Sequence, residues 1–191
     1  MRIVGGKHRG RRIAAPPGDT VRPTSERARE ALFNILAHGR FATAPVFEDA
    51  RVLDVFAGTG AFGLEALSRG ARFATFIEKD RQARDALAAN IKTLGEAGRT
   101  RLLAADATAP PRADGPYDLI FVDPPYRSGL AAPALEALSR TGWIAADALV
   151  VLELAARVGF EPPEGFTPLE ERRYGAGRLV FLRPAGTAPG Q

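Results

Sequence analysis

The run YDLIFVDPPYRSG holds four residues, Asp123-Pro124-Pro125-Tyr126, that combine an anion, two backbone units without N–H groups and an aromatic ring. Consecutive prolines stiffen the chain and present carbonyl oxygens with no competing donor beside them. Asp123 and the Pro124 carbonyl can together accept both hydrogens of an exocyclic amine. Pro125 holds that corner rigid, and Tyr126 offers a flat face on which a base can stack. The reacting atom that suits such a set is the amino nitrogen of a nucleobase.

A second set of polar residues lies upstream. RVLDVFAGTGAFGLEAL contains G-T-G-A-F-G, which satisfies the dinucleotide fingerprint G-x-G-x-x-G. Gly58 and Gly60 allow a tight turn and a close approach of backbone to ligand. A pyrophosphate favours bare amides at a helix start, and Asp54, four residues before Gly58, would repel it. A carboxylate there suits a cationic ligand such as S-adenosylmethionine, with its α-amino group and its sulfonium. Glu78, twenty residues after Gly58 in FIEKD, can accept both hydroxyl hydrogens of a ribose. Asp106, in LLAADA, is placed to reach an adenine amino group or, alternatively, to close a turn.

These residues need elements that bring them to one edge. From Arg51 onward strands are predicted at 51–56, 73–78, 101–105 and 117–122, with helices at 61–69, 80–94 and 130–140 between them. The strands are nearly all apolar, as parallel strands covered on both faces are. Repeated strand–helix–strand units make a doubly wound, mostly parallel α/β sheet whose ligands sit beyond the carboxyl ends of its strands. ALVVLELA is a further strand, and TPLEERRY and RLVFLRP, joined by GAG, form an antiparallel hairpin on one edge. A helix begins near Thr24, an N-cap after Pro23, with Ala28, Ala31, Leu32, Ile35 and Leu36 on its apolar face. Ahead of it RIV and RRIAA make a small hairpin, and PPGDTVRP is a linker.

Charge concentrates at that first end. Residues 1–40 carry nine Lys/Arg against three Asp/Glu, and the remainder seventeen against nineteen. Arg2, Lys7, Arg9, Arg11 and Arg12 crowd the hairpin, which points to a polyanionic partner, nucleic acid above all. Cysteine is absent and histidine occurs twice, which argues against a zinc site and excludes a cysteine nucleophile. No apolar run approaches the length of a membrane span, and no export signal is present, so a cytoplasmic location is expected.

VLDVFAGTGAFGLEALSRGA, FIEKD and DPPY resemble the motifs of class I S-adenosylmethionine-dependent methyltransferases acting on amino groups. RPTSERAREALFNIL, the basic hairpin and RRYGAGRLVFL are similar to the RsmD family, the bacterial small-subunit ribosomal RNA guanine-N2 methyltransferases. YGAGR departs from the family pattern, in which an acid and a threonine follow Tyr-Gly. The resemblance implies a Rossmann-like, seven-stranded sheet and methyl transfer from S-adenosylmethionine to N2 of a guanine in 16S ribosomal RNA, bound as a small-subunit particle or assembly intermediate. It implies cofactor contacts from Asp54, Phe56, Gly58, Gly60, Glu78, Lys79 and Asp106, with Thr24 closing over the cofactor. A monomer without metal is expected. The expected organisation is a basic hairpin and linker at 1–21, the methyltransferase domain at 22–184 and a disordered tail at 185–191. DPPY is shared with adenine-N6 DNA enzymes and protein-glutamine methyltransferases. These, an inactive RNA-binding assembly factor and a nicotinamide oxidoreductase stand as alternatives.

Overall fold

The computed structural model describes residues 1–14, 26–38, 41, 46–125 and 128–186. Thr24, Tyr126, the whole of the expected linker PPGDTVRP and the last five residues of the expected tail lie outside them.

Seven strands form one sheet. They are β1 (Arg51–Val55), β2 (Phe73–Ile77), β3 (Thr100–Leu103), β4 (Tyr117–Val122), β5 (Ile144–Ala155), β6 (Phe166–Tyr174) and β7 (Gly177–Pro184). Their order is β3-β2-β1-β4-β5-β7-β6. β1 to β5 run parallel, and β7 enters antiparallel between β5 and β6. The sheet is the expected doubly wound one with the C-terminal hairpin at its edge. Strand order reverses between β1 and β4, and at such a switch point the flanking loops diverge and leave a crevice.

Successive residues of β1 alternate between faces. Val52 joins one buried cluster with Leu32, Phe33, Leu64, Leu87 and Phe121, under α1 (Glu26–His38), α2 (Ala61–Ser68) and α3 (Arg81–Leu94). Leu53 and Val55 join another with Ile120, Val122, Leu135 and Trp143, under α4 (Ala131–Arg140). Both faces are therefore covered, which explains why the central strands read as unbroken apolar runs.

The helices start and stop on local chemistry. Asp80 caps α3, its Oδ1 accepting the Ala83 N–H at 2.8 Å, and Gly95 ends that helix at φ 73°. In α1 the expected apolar stripe is rotated. Arg29, Leu32, Phe33 and Leu36 are buried, whereas Ala28, Ala31 and Ile35 are half-buried. Phe33 takes the centre because it meets Phe47 and Phe121 at centroid distances of 5.4 and 5.6 Å.

The N-terminal hairpin is present as one antiparallel bridge, Arg2 to Arg12, around a 3-10 turn at Gly6–His8. It is docked on the body rather than free of it. Ile3 and Ile13 are buried in the same cluster as Phe33, and the Val4 N–H donates to Glu65 Oε2 at 2.8 Å. Glu96, almost fully buried, accepts from His8 Nε2 at 2.5 Å and from Lys7 Nζ at 2.7 Å.

Candidate active site

Three backbone hydrogen bonds extend the parallel ladders one step past the strand ends. Asp123 N–H donates to the Val55 carbonyl (3.2 Å), Ala57 N–H to that of Ile77 (3.1 Å), and Glu78 N–H to that of Leu103 (3.1 Å). Each loop is thereby registered against its neighbour as it leaves the sheet. The Gly58 loop, Glu78, Asp106 and Asp123 consequently share the carboxyl edge, at the switch point.

Gly58 and Gly60 have φ of 53° and 77°, where an L side chain is strained. They differ in what surrounds them. A Cβ on Gly58 would meet nothing within 4 Å, whereas one on Gly60 would lie 2.3 Å from Leu87 Cδ1. Gly58 therefore faces open space, and Gly60 lets α3 pack against the loop. Phe56, between β1 and this loop, also holds φ at 59°, a costly conformation for an aromatic residue. Asn90 of α3 braces the loop from behind, its Nδ2 donating to the Thr59 carbonyl and to the Ala14 carbonyl of the hairpin, both at 3.0 Å.

Glu78 is oriented by two amides, Gly58 N–H on Oε2 and Asp80 N–H on Oε1, each at 2.8 Å. Each carboxylate oxygen has two lone-pair sites, so acceptor capacity remains for a diol. Asp106 closes a turn through Oδ1, which accepts from both the amide and the hydroxyl of Thr108, and Lys79 Nζ lies 3.2 Å from Oδ2. The Thr108 bonds first, then Lys79, hold the Asp106 carboxyl below the usual range, so it is an ionised acceptor.

Asp54 stands at the expected strand end but is only 1% exposed, and its Oδ2 accepts the Gly63 N–H of α2 at 2.9 Å. Burial raises its pKa to about 8, against the lowering effect of that hydrogen bond. Asp123 is half-buried, and its proton affinity is raised well above the ordinary value, first by desolvation, then by Glu153 and Asp54. The β4–β5 register, Val122 opposite Leu152, sets Asp123 beside Glu153. Sequence reading passed over Glu153 and Asn90, although each carries a signal. Glu153 is an acid inside the apolar run VVLELA, and Asn90 is an amide on the stripe Ala83, Leu87, Ile91, Leu94.

The hairpin cations are all exposed but not equally free. Arg2 pairs with Glu26 at 3.0 Å, Lys7 with Glu96, and Arg11 donates to the Thr93 carbonyl at 2.6 Å. The side chains of Arg9 and Arg12 form no hydrogen bond or ion pair among the described residues. Among the described residues no cluster of metal-binding side chains is found either, and no helix there is long and apolar enough to cross a membrane.

A family model described as "Conserved hypothetical protein 95" matches residues 1–183. Ribosomal RNA small subunit methyltransferase D of Escherichia coli strain K12 is 45% identical over 154 residues, covering 80% of this chain and 74% of that protein. The chain belongs to the RsmD family of methyltransferases. The Haemophilus influenzae protein of the same name is 33% identical over 179 residues, covering 92% of this chain and 89% of its own. The solved structure of Escherichia coli yhhF superposes with a TM-score of 0.81 at 39% identity, covering 96% of this chain and 97% of that one. The family match, over residues 1–183, takes in the hairpin, the motif loops and nearly all of the C-terminal strands of this RsmD-family chain.

Proposed function

We propose that the protein transfers the methyl group of S-adenosylmethionine to the exocyclic N2 of a guanine in 16S ribosomal RNA; its relatives' names give ribosomal RNA of the small subunit as the substrate class. The observation that carries this reading is the Asp123-Pro124 corner, tied by its amide to Val55 at the switch point, next to the glycine loop and the Glu78 carboxylate.

The edge fits the cofactor. Gly58 leaves open space, Glu78 is fixed to accept ribose hydroxyls, and Asp106 is an ionised acceptor for the adenine amine. Asp54 and Asp123 are carboxyls whose ionisation a nearby cation would restore. S-adenosylmethionine supplies the electrophilic methyl carbon.

The residues of this chain supply position and charge. Guanine N2 is a weak nucleophile because its lone pair is delocalised into the ring. Accepting its hydrogens on Asp123 and the Pro124 carbonyl favours a pyramidal nitrogen with the lone pair aimed at the methyl. Holding two reactants in line contributes up to about 7–11 kcal/mol in ideal cases. The acceptors also stabilise the positive charge that develops on nitrogen. Ionised in the complex, Asp123 is placed to take the N2 proton as the new bond forms. A base within a duplex cannot reach this corner, so the guanine is unpaired or flipped out. Arg9 and Arg12, with their neighbours, hold phosphates and add affinity without sequence information.

The test is transfer of labelled methyl groups to unmethylated small-subunit RNA, DNA and protein, followed by nucleoside mass mapping. The expected product is N2-methylguanine in the RNA, and Asp123→Ala should lower the rate at least about 100-fold while cofactor affinity persists. Label in N6-methyladenine or in glutamine would overturn the reading. Equal loss of cofactor affinity in Asp123→Ala would make that residue structural.

A further inference from the structure

Beside the Asp123-Pro124-Pro125 corner lies a recess of about 190 Å³. Its walls are Pro124 and Pro125, Gly129 and Leu130 ahead of α4, Leu154 at the end of β5, and Phe160 from the loop that follows. Asp123 does not line it. A ring seated here therefore lies against Pro124 but beside the Asp123 carboxylate, not upon it. The floor is held by backbone and side-chain bonds, Ser128 N–H to the Pro125 carbonyl at 3.1 Å and Leu130 N–H to Ser128 Oγ at 3.4 Å.

Size and lining narrow the occupant. Pockets for drug-sized ligands run to about 300–1,000 Å³, so this one holds a single planar ring system. Phe160 is half-buried and borders both this recess and an open groove that contains Arg157, Arg173 and Arg178. Arg178 is committed, donating to the Val158 carbonyl at 2.7 Å and to Glu171 at 2.6 Å, and it fixes the loop. Arg173 is 72% exposed, with Glu171 3.5 Å away. Arg157 is exposed and has no ion pair among the described residues. Glu161, exposed, borders both spaces and is an acceptor of the kind that suits the N–H edge of a base. A small, mainly apolar recess adjoining a cationic groove has the two-part chemistry of a nucleotide.

We propose that this recess receives a nucleobase flanking the target guanosine, stacked on Phe160, with its phosphate at Arg157. The proposal rests on the RNA methyl-transfer reading above and adds what that reading lacks. Phosphate contacts at the hairpin position the RNA, whereas base contacts select it.

Steady-state transfer to unmethylated small-subunit RNA tests the proposal, with Phe160→Ala, Phe160→Trp and Arg157→Ala measured beside wild type. Stacking on one aromatic side chain amounts to about 5- to 150-fold in binding. Phe160→Ala should raise KM for RNA about tenfold or more while cofactor affinity stays within twofold, and Phe160→Trp should restore KM. Arg157→Ala should raise KM and reduce its salt dependence by about one phosphate contact. In a synthetic fragment, 2-aminopurine beside the methylated guanine should be quenched by wild type and not by Phe160→Ala. Unchanged KM and unchanged quenching in Phe160→Ala would overturn the proposal while leaving the function standing. Loss of cofactor affinity in both Phe160 variants would also overturn it, by assigning Phe160 to packing. Absence of RNA methylation by wild type would instead remove the underlying function.

Discussion

Replacing Asp54 with Asn should make the ligand-free protein more stable relative to wild type as pH rises. Asp54 is 1% exposed, and its pKa stands at about 8 in the folded chain against 3.8 for a free side chain. A carboxyl with a raised folded pKa binds its proton in the native state and releases it on unfolding. Between the two pKa values unfolding releases one proton, and stability falls by about 1.4 kcal/mol per pH unit. From pH 5 to pH 7 this group alone therefore costs the wild type about 2.5 kcal/mol. That figure holds for any folded pKa of about 7 or more, because the whole interval then lies below it. The side-chain amide of the Asp54→Asn variant keeps an oxygen for the Gly63 N–H and has no proton to lose, so its stability lacks this slope. The assay is urea unfolding of both proteins at half-unit steps from pH 5 to pH 8, without cofactor. The difference in unfolding free energy should grow steadily in favour of Asp54→Asn and level off above about pH 8. A constant offset over the whole range would show that Asp54 is ionised in the folded chain, and the burial argument would fall.

The two loop glycines separate by what surrounds them. Gly60→Ala drives a Cβ to 2.3 Å from Leu87 and should lower thermal stability by about 1–3 kcal/mol or more, whereas Gly58→Ala meets no atom and should mainly weaken cofactor binding, read by calorimetry. Identical losses of stability in the two variants would refute this division. Replacing Arg9 and Arg12 together with Ala should reduce the slope of log affinity for RNA against log salt by about 1.4–1.8, as expected for two phosphate contacts. An unaltered slope would take the hairpin out of RNA binding.

Much of the scaffold was legible because its signals are local. Apolar runs punctuated by Gly, Asp and Pro located β1 to β4 and α2 to α4 to within one or two residues of their observed ends. β5 begins four residues earlier than ALVVLELA suggested. Ile144 pairs with Tyr117 before a register shift, and the exposed pair Ala146-Asp147 breaks the apolar run ahead of ALVVLELA. The stripe of α1 was displaced because Arg29, the least apolar residue on that face, is fully buried, its Nη2 donating to the Arg2 carbonyl and its Nε 3.9 Å from Glu65. Hydrophobic periodicity is blind to a charge buried in this way. In the site the acids were legible as positions at strand ends, but their charge states were not. Asp54 reads as an anion in the sequence, yet desolvation by α2 and the neighbouring strands makes it a proton carrier. Such effects arise only once distant segments are packed together.

Asn90 has a consequence for anyone who would re-engineer this chain. Its single amide group clasps Ala14 through both its oxygen and its nitrogen, and the same nitrogen holds Thr59. Grafting the amino-terminal arm of another enzyme onto this body would disturb the Gly58–Gly60 loop along with the arm, so a swap would have to carry this clasp with it.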